Sequence, residues 1–365
     1  MFSWLGATAF GGPAAHVALM RSELVERRRW VDDTTFLDMV GVTALLPGPN
    51  STELASELGR RRAGLAGLIT GGIAFIAPAA AMVTALAWAY TRYGTDREIS
   101  DIRYGILPVV AAVVAHAAYK LGRTAIGSPL TAIIGLGATA AFLAGANELA
   151  ILGAGAAATG VWGNRHHLIA VAPMVVPWAV SALAQPASDG TDVGLPRLFG
   201  SFLKTGALLF GSGYVVVAFI EAEFVDRLGV LTTDQVADAI AAGQITPGPL
   251  FTAATFVGYL LHGPAGALVA TVAIFLPAFV FVALLGRFIA PSLRRPAVRP
   301  VLDGLNAASV GLIAGVAVEL AGEALHDPLS TIVTLVALTL LVTTNLNPTW
   351  LMTGGVLLGI GAALL

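Results

Sequence analysis

Two short stretches carry the residues best placed to do chemistry. One reads LPGPNSTE over residues 46–53, the other TPGPLFTA over 246–253, and both interrupt long apolar runs. Proline removes a backbone donor and clashes with the preceding turn, and glycine permits unusual torsions. Pro47-Gly48-Pro49 and Pro247-Gly248-Pro249 therefore end one half-helix and start another. In lipid, freed backbone groups persist only where protein buries them or a watery cavity receives them. The N-terminus of a half-helix offers unpaired N–H groups and a partial positive charge, which together suit an anion. Asn50, Ser51 and Thr52 are good N-cap residues after the first break. Thr246 and Thr252 flank the second. A packing kink is the competing reading of one Pro-Gly-Pro; two matched copies flanked by hydroxyls favour a functional break.

A second paired feature is FGGPAAH at 10–16 against FGSGYVV at 210–216. Gly11, Gly12, Gly211 and Gly213 allow either close helix approach or a further break. Several ionisable residues stand in apolar surroundings. Lys204 is placed to snorkel to the interface, or to attract an anionic substrate. Glu53 follows the first break by four residues and is a candidate to offset excess positive potential or to carry a proton. His16 and His116 read first as packed histidines and second as proton relays. Glu221 and Glu223 end an apolar run, where a solvated helix end competes with an ion-coupling role for Glu223.

The elements that must position these groups follow from composition. Of 365 residues, 56% are hydrophobic and only 12% charged, about half the charge fraction of a soluble domain. Mean hydropathy is +0.82, and several charge-free runs reach the ~20 residues that cross a bilayer. The expectation is an all-α polytopic membrane protein in contact with lipid. A net charge of −2 provides no basic surface for nucleic acid. Cysteine is absent, which excludes disulfides and thiolate chemistry. The chain shows no Walker motif, no HExxH, no Gly-x-Ser-x-Gly elbow and no metal-ligand spacing. Neither a cofactor nor an enzymatic activity is expected. The NST at 50–52 beside Pro-Gly-Pro reads as a chance match to the glycosylation pattern, and the opening residues lack the basic region of a signal peptide.

The chain repeats itself. Shifted by 200, Phe2, Gly6, Phe10, Glu23, Asp38, Pro47 and Pro49 meet Phe202, Gly206, Phe210, Glu223, Asp238, Pro247 and Pro249. After one deletion the shift is 199, and Gly67, Pro78, Gly105 and Pro129 meet Gly266, Pro277, Gly304 and Pro328. Rare residues landing in register argue against chance. The first unit covers 1–165 and the second 201–365, with a linking apolar segment at 168–184 and a polar linker inside 166–200. Apolar segments are expected near 2–20, 36–58, 65–90, 104–122, 128–145 and 147–163, then near 202–220, 236–261, 264–286, 302–321, 328–344 and 347–365. Six segments plus the linking one is an odd number, so the second unit enters the membrane from the opposite side. That predicts about 12–13 transmembrane or re-entrant helices in two inverted-topology repeats.

Charge placement agrees with a cytoplasmic N-terminus. Arg60, Arg61, Arg62, Lys120, Arg123, Arg165, Arg287, Arg294, Arg295 and Arg299 then lie inside, against Arg92, Arg97, Arg103 and Arg197 outside. The loop RSELVERRRW at 21–30 fits the same rule only if the segments around it are re-entrant hairpins, which is the preferred reading. Gly67–Gly71 and Gly355–Gly359 have the spacing of close helix packing.

The stretches FGGPAAHVALM, LLPGPNSTELA, FGSGYVVVAFIEAEFV, DAIAAGQITPGPLFTAATFVGYLLHG and ATVAIFLPAFVFV together resemble the chromate ion transporter family in its long, two-unit form. The likeness covers nearly the whole chain, although the chain begins abruptly at the first motif. It implies a multi-pass bacterial inner (plasma) membrane protein that exports chromate, a divalent tetrahedral oxyanion, and so confers resistance. A sulfate or general oxyanion carrier is the alternative, because both ions present the same oxygens. A membrane scaffold has little support from such short loops. Related transporters often dimerise, so a homodimer is a candidate assembly.

Overall fold

The computed structural model describes every residue except 10–11, 44–45, 94–95, 164–192, 210–214, 285–297, 326–327, 345, 347 and 364–365. The expected linking segment at 168–184 lies outside the described residues. So do Gly11, Gly211 and Gly213. The described residues hold no strand, as the composition requires of an all-α membrane protein.

In the first half the helices are α1 (Phe2–Thr8), α2 (Gly12–Arg21), α3 (Asp33–Thr43), α4 (Asn50–Tyr93), α5 (Asp96–Ala125), α6 (Pro129–Leu143) and α7 (Glu148–Gly163). The second half repeats the order with α8 (Leu195–Leu208), α9 (Val215–Ile220), α10 (Thr233–Ile245), α11 (Ala253–Leu284), α12 (Val298–Ala324), α13 (Pro328–Thr343) and α14 (Pro348–Ala363). A π-type turn extends α2 over Ser22–Arg27, and another extends α9 over Glu221–Arg227. Among the described residues, four stretches are long and apolar enough to cross a membrane: α4, Gly105–Ala125, Leu250–Leu284 and Val298–Gly322.

The expected segment 2–20 is broken, as is 36–58, and each forms a hairpin. Helix α4 also folds on itself. Ala63 and Gly64 leave helical torsions, with Gly64 at φ +60 and ψ −144. In α11 the matching residues His262 and Gly263 leave them in the same way, with Gly263 at φ +58 and ψ −147. Only glycine adopts such a backbone without strain.

The chain then doubles back tightly. A β-carbon on Gly59 would lie 2.1 Å from the Gly67 carbonyl oxygen, and one on Gly67 2.0 Å from that of Gly59. Gly258 and Gly266 make the same crossing, at 2.3 and 2.0 Å. Small residues alone permit backbones this close. Residues 50–62 therefore form a short arm of about 20 Å, which cannot cross ~30 Å of hydrocarbon. Residues 65–93 form the long arm.

Helix directions follow from the same contacts. Gly6 abuts the Phe75 carbonyl and the Phe2 ring abuts Gly71, so α1 runs parallel to the long arm. At the far end of the α1–α2 and α3–α4 hairpins, Trp30 packs edge-on against Phe2 at 6.3 Å, and Arg62 lies 5.2 Å above the Trp30 ring. The start of α1, the 28–32 loop and the α4 turn thus share one end of the molecule. Leu5, Met20, Leu24, Phe36, Leu54, Leu58 and Phe75 bury the seam between these short pieces.

The two halves interlock. Helix α5 packs on α12, α13 and α14, while α12 packs on α5, α6 and α7. Gly105 meets the Gly355 carbonyl and Gly304 meets the Gly155 carbonyl, at 2.0 and 2.1 Å from their would-be β-carbons. Matched glycines thus make matched crossings, and Gly355–Gly359 does the packing its spacing suggests. Helix α4 also packs along α11, which brings the two Pro-Gly-Pro turns to the centre.

Candidate functional site

Each Pro-Gly-Pro turn is held by the other half. The Gly48 N–H donates to the Leu209 carbonyl at 2.7 Å, and the Gly248 N–H donates to the Ala9 carbonyl at 3.0 Å. Ala9 ends α1 and Leu209 ends α8. All four short-helix ends therefore meet in one place. Both glycines need positive φ, +131 at Gly48 and +104 at Gly248, which disfavours any side chain there. A β-carbon on Gly248 would strike Ala79 Cβ at 2.6 Å, and one on Gly48 would strike Glu53 Oε1 at 2.7 Å.

Capping differs from the sequence expectation. The Thr52 and Glu53 N–H groups donate to the Pro49 carbonyl, so the backbone turn itself opens the short arm of α4. Asn50, Ser51 and Thr52 then lie inside the first turn instead of capping it. Their side chains are left for other uses. Among the described residues, Asn50 Oδ1, Thr52 Oγ1, Ser56 Oγ and both Glu53 carboxylate oxygens are buried without a hydrogen-bond partner. Glu53 has no exposed surface. Orphaned buried polar atoms are rare and call for an explanation.

His16 borders this cluster. Its Nδ1 lies 2.8 Å from Ser51 Oγ and its Nε2 3.0 Å from the Ala9 carbonyl oxygen. The carbonyl can only accept, so Nε2 carries hydrogen; a neutral ring then accepts the Ser51 hydroxyl at Nδ1. The ring also packs edge-on against Phe75. His16 links α2, the end of α1 and the short arm.

The two halves are alike in backbone and unlike in chemistry. Where the first has His16, Asn50, Ser51, Thr52 and Glu53, the second has Val216, Leu250, Phe251, Thr252 and Ala253. Thr252 Oγ1 is spent on the Pro249 carbonyl at 2.9 Å, and Thr246 Oγ1 on the Ala242 carbonyl at 2.9 Å. Pro47 to Glu53 form the polar side of the site, and Thr246 to Thr252 form its apolar side. Gly12 is the first residue of α2.

Lys204 and Glu223 form a cluster of their own. Lys204 Nζ is 3.6 Å from Glu223, which also accepts from Ser201 at 2.7 Å and from Arg227. The solvated end expected at Glu221 and Glu223 is not found; both are buried. The wider π-type turn swings them inward, where Thr233 donates to Glu221 at 2.5 Å. In the first half Glu23 takes the matching place and bonds Arg28 at 2.7 Å and Arg27 at 3.2 Å. The Arg28 bond, reinforced by Arg27, holds the Glu23 carboxyl below its usual range against the pull of partial burial.

Two cavities adjoin the site's approaches. One of about 230 Å³ lies beside Asn50, lined also by Thr124 of α5 and by Asp303, Asn306 and Ser309 of α12. Ser309 Oγ is buried and unpartnered among the described residues. The other, of about 790 Å³, opens at the Trp30 end between Arg29, Asp32, Thr35, Arg60 and Arg61. Arg60 and Arg61 share Glu57 there. Sequence reading passed over Asp303, Asn306 and Ser309, although their three-residue spacing marks one helix face.

Comparison with known proteins adds three findings. A family model described as chromate transporter matches residues 1–161 and 196–360. A probable chromate transport protein of Synechococcus elongatus is 33% identical, over 92% of this chain and 87% of its own. Chromate transport proteins of Cupriavidus metallidurans and Pseudomonas aeruginosa are 32% and 30% identical, over 99% and 88% of this chain and 91% and 79% of theirs. No solved structure matches the chain.

Proposed function

The chain belongs to the chromate transporter family, and from that premise we propose that it exports chromate from the cytoplasm and so confers resistance to it. It is a multi-pass protein of the bacterial inner membrane and a transporter, not an enzyme. The oxyanion is held where the two Pro-Gly-Pro turns meet, on the first turn of the short arm of α4. The observation that carries this reading is the reciprocal bonding of Gly48 to Leu209 and of Gly248 to Ala9, beside a buried polar cluster with orphaned oxygens.

A tetrahedral dianion suits that cluster. Hydroxyl and amide groups of Asn50, Thr52 and Ser56 can turn donors toward its oxygens, beside a Ser51 hydroxyl that donates to His16. The helix start supplies N–H groups and a favourable dipole. Lys204 is left out, because its ammonium is paired with Glu223. The basin at Arg29, Arg60 and Arg61 gathers anions on the cytoplasmic side.

The two halves act as inverted repeats. Their matched kinks and crossings supply two similar bodies, and an odd number of crossings between them reverses the second. Exchange of access arises when one body rocks against the other about the central turns. An interior-negative potential favours expulsion by about 2.3 kcal/mol per charge per 100 mV, so a dianion crossing alone gains twice that.

The test is uptake of labelled chromate into inside-out membrane vesicles, with and without excess sulfate. Saturable uptake that resists sulfate supports a chromate exporter. Uptake abolished by sulfate makes the protein a general oxyanion carrier. Absence of uptake above control vesicles refutes the reading.

A further inference from the structure

Glu53 is the group that the oxyanion site does not explain. It lies in the first turn of the short arm, where an anion is supposed to bind. It has no exposed surface, and neither of its carboxylate oxygens has a partner among the described residues. Its Oε1 faces the Pro-Gly-Pro turn, 2.7 Å from where a Gly48 β-carbon would stand. An ionised Glu53 would therefore occupy the same positive helix end as the substrate and repel it.

The charged and titratable neighbours are few. On its own arm Glu57 is paired with Arg60 and Arg61. From α2 comes His16, already bonded at both nitrogens. Helix α1 and residues 65–89 of the long arm contain no ionisable side chain, and α11 contributes only Tyr259 and His262. His262 bonds the Val193 carbonyl at the far turn. Asp33 of α3 is bonded to Arg21, and Asp238 of α10 to Tyr90. Across the 230 Å³ cavity α12 presents Asp303, another acid; Lys120 and Arg123 of α5 are exposed. Lys204 of α8, the helix whose end bonds Gly48, is paired with Glu223, so among the described residues no cation is paired with Glu53.

Resting on the site proposed above, we infer that Glu53 is the protein's proton carrier: it takes up one proton when the oxyanion binds and gives it up when the oxyanion leaves. The carboxylate and the oxyanion are then alternative occupants of one helix end. At pH above the Glu53 titration, substrate-free protein keeps its own anion there. Substrate-loaded protein holds Glu53 as a neutral carboxylic acid, whose O–H can donate to an oxyanion oxygen. Above that pH each chromate dianion thus crosses with one proton, and one negative charge moves per turnover.

Equilibrium dialysis of labelled chromate against the detergent-purified full chain tests this across a series of pH values. The Glu53→Gln variant mimics the protonated acid in shape and neutrality. The ratio of wild-type to variant affinity cancels chromate's own protonation. That ratio should fall toward tenfold per unit rise in pH above the Glu53 titration, with the variant binding throughout. A ratio that is flat with pH overturns the inference while leaving the oxyanion site standing. Loss of binding in Glu53→Gln with binding intact in the wild type also overturns it, because the carboxylate itself is then required. Failure of the wild type to bind at any pH removes the site reading and this inference together.

Discussion

The reciprocal turns make a prediction that distinguishes one half from the other. At Gly248, alanine must adopt φ +104, at a cost of about 1–3 kcal/mol. Its β-carbon would also stand 2.6 Å from Ala79 Cβ and 3.2 Å from the Gly6 carbonyl oxygen, where carbons prefer about 3.5–4.0 Å. Relief of such overpacking costs a further ~1–3 kcal/mol. The lower sum, about 2 kcal/mol, corresponds to a more than tenfold loss of the competent arrangement. The Gly248→Ala variant should therefore reach the membrane at normal level and take up chromate into inside-out vesicles at least about tenfold more slowly. Adding Ala79→Gly removes the steric part and leaves the torsional part, so partial recovery is expected. The same Ala79→Gly should not help Gly48→Ala, whose β-carbon meets Glu53 and Ala278 instead. Wild-type uptake by Gly248→Ala, or equal rescue of both variants by Ala79→Gly, would refute the reasoning.

Other expectations follow from single contacts. Replacing His16 with Phe keeps an aromatic ring against Phe75 but strips one of two donors from the Ala9 carbonyl, which keeps the Gly248 N–H, and orphans the Ser51 hydroxyl; vesicle uptake should fall sharply, whereas Lys204→Met, which leaves those bonds in place, should retain much of it. Tyr90→Phe deletes the hydroxyl bonded to Asp238 across the two halves at 2.8 Å and should lower thermal stability in detergent by about 1–3 kcal/mol. A cysteine at Arg29 should react with an impermeant label from the same face as one at Arg61, because Trp30 and Arg62 share one end of the molecule; labelling from opposite faces would break the hairpin reading. Glu23 has its carboxyl held low by Arg28 and Arg27, so its contribution is present at neutral pH and lost as acid protonates it; the acid-side fall in thermal stability should be shallower in Glu23→Gln.

Much of this arrangement was legible in the sequence because rare residues carry position. Proline and glycine at matching places revealed the repeat, and Pro-Gly-Pro revealed the breaks. The arginines of 21–30 pointed to hairpins, since a re-entrant path would keep them with the other charges expected in the cytoplasm. The doubled-back turns at Gly64 and Gly263 were hidden, because Ala63-Gly64 and His262-Gly263 sit in runs that read as loops between ordinary spans. Local spacing also misplaced two sets of polar residues. Asn50 to Thr52 looked like caps, but the helix starts at Asn50, so all three lie inside its first turn. Glu221 and Glu223 looked like a solvated end, but the π-type turn faces them inward, where Glu223 meets Lys204, Ser201 and Arg227 on two helical pieces. Such pairings depend on how hairpins pack and leave no periodic signal. The chemical inequality of the two halves was open to view: His16, Asn50, Ser51 and Glu53 have apolar counterparts.

The paired Pro-Gly-Pro turns, as the proposed oxyanion site, must be indispensable to transport. Uptake of labelled chromate by inside-out vesicles carrying the Pro47→Ala/Pro249→Ala double variant tests it most directly, beside wild-type vesicles with equal amounts of protein. Saturable wild-type uptake that disappears in the variant is the predicted result. Undiminished uptake by the variant would contradict the claim.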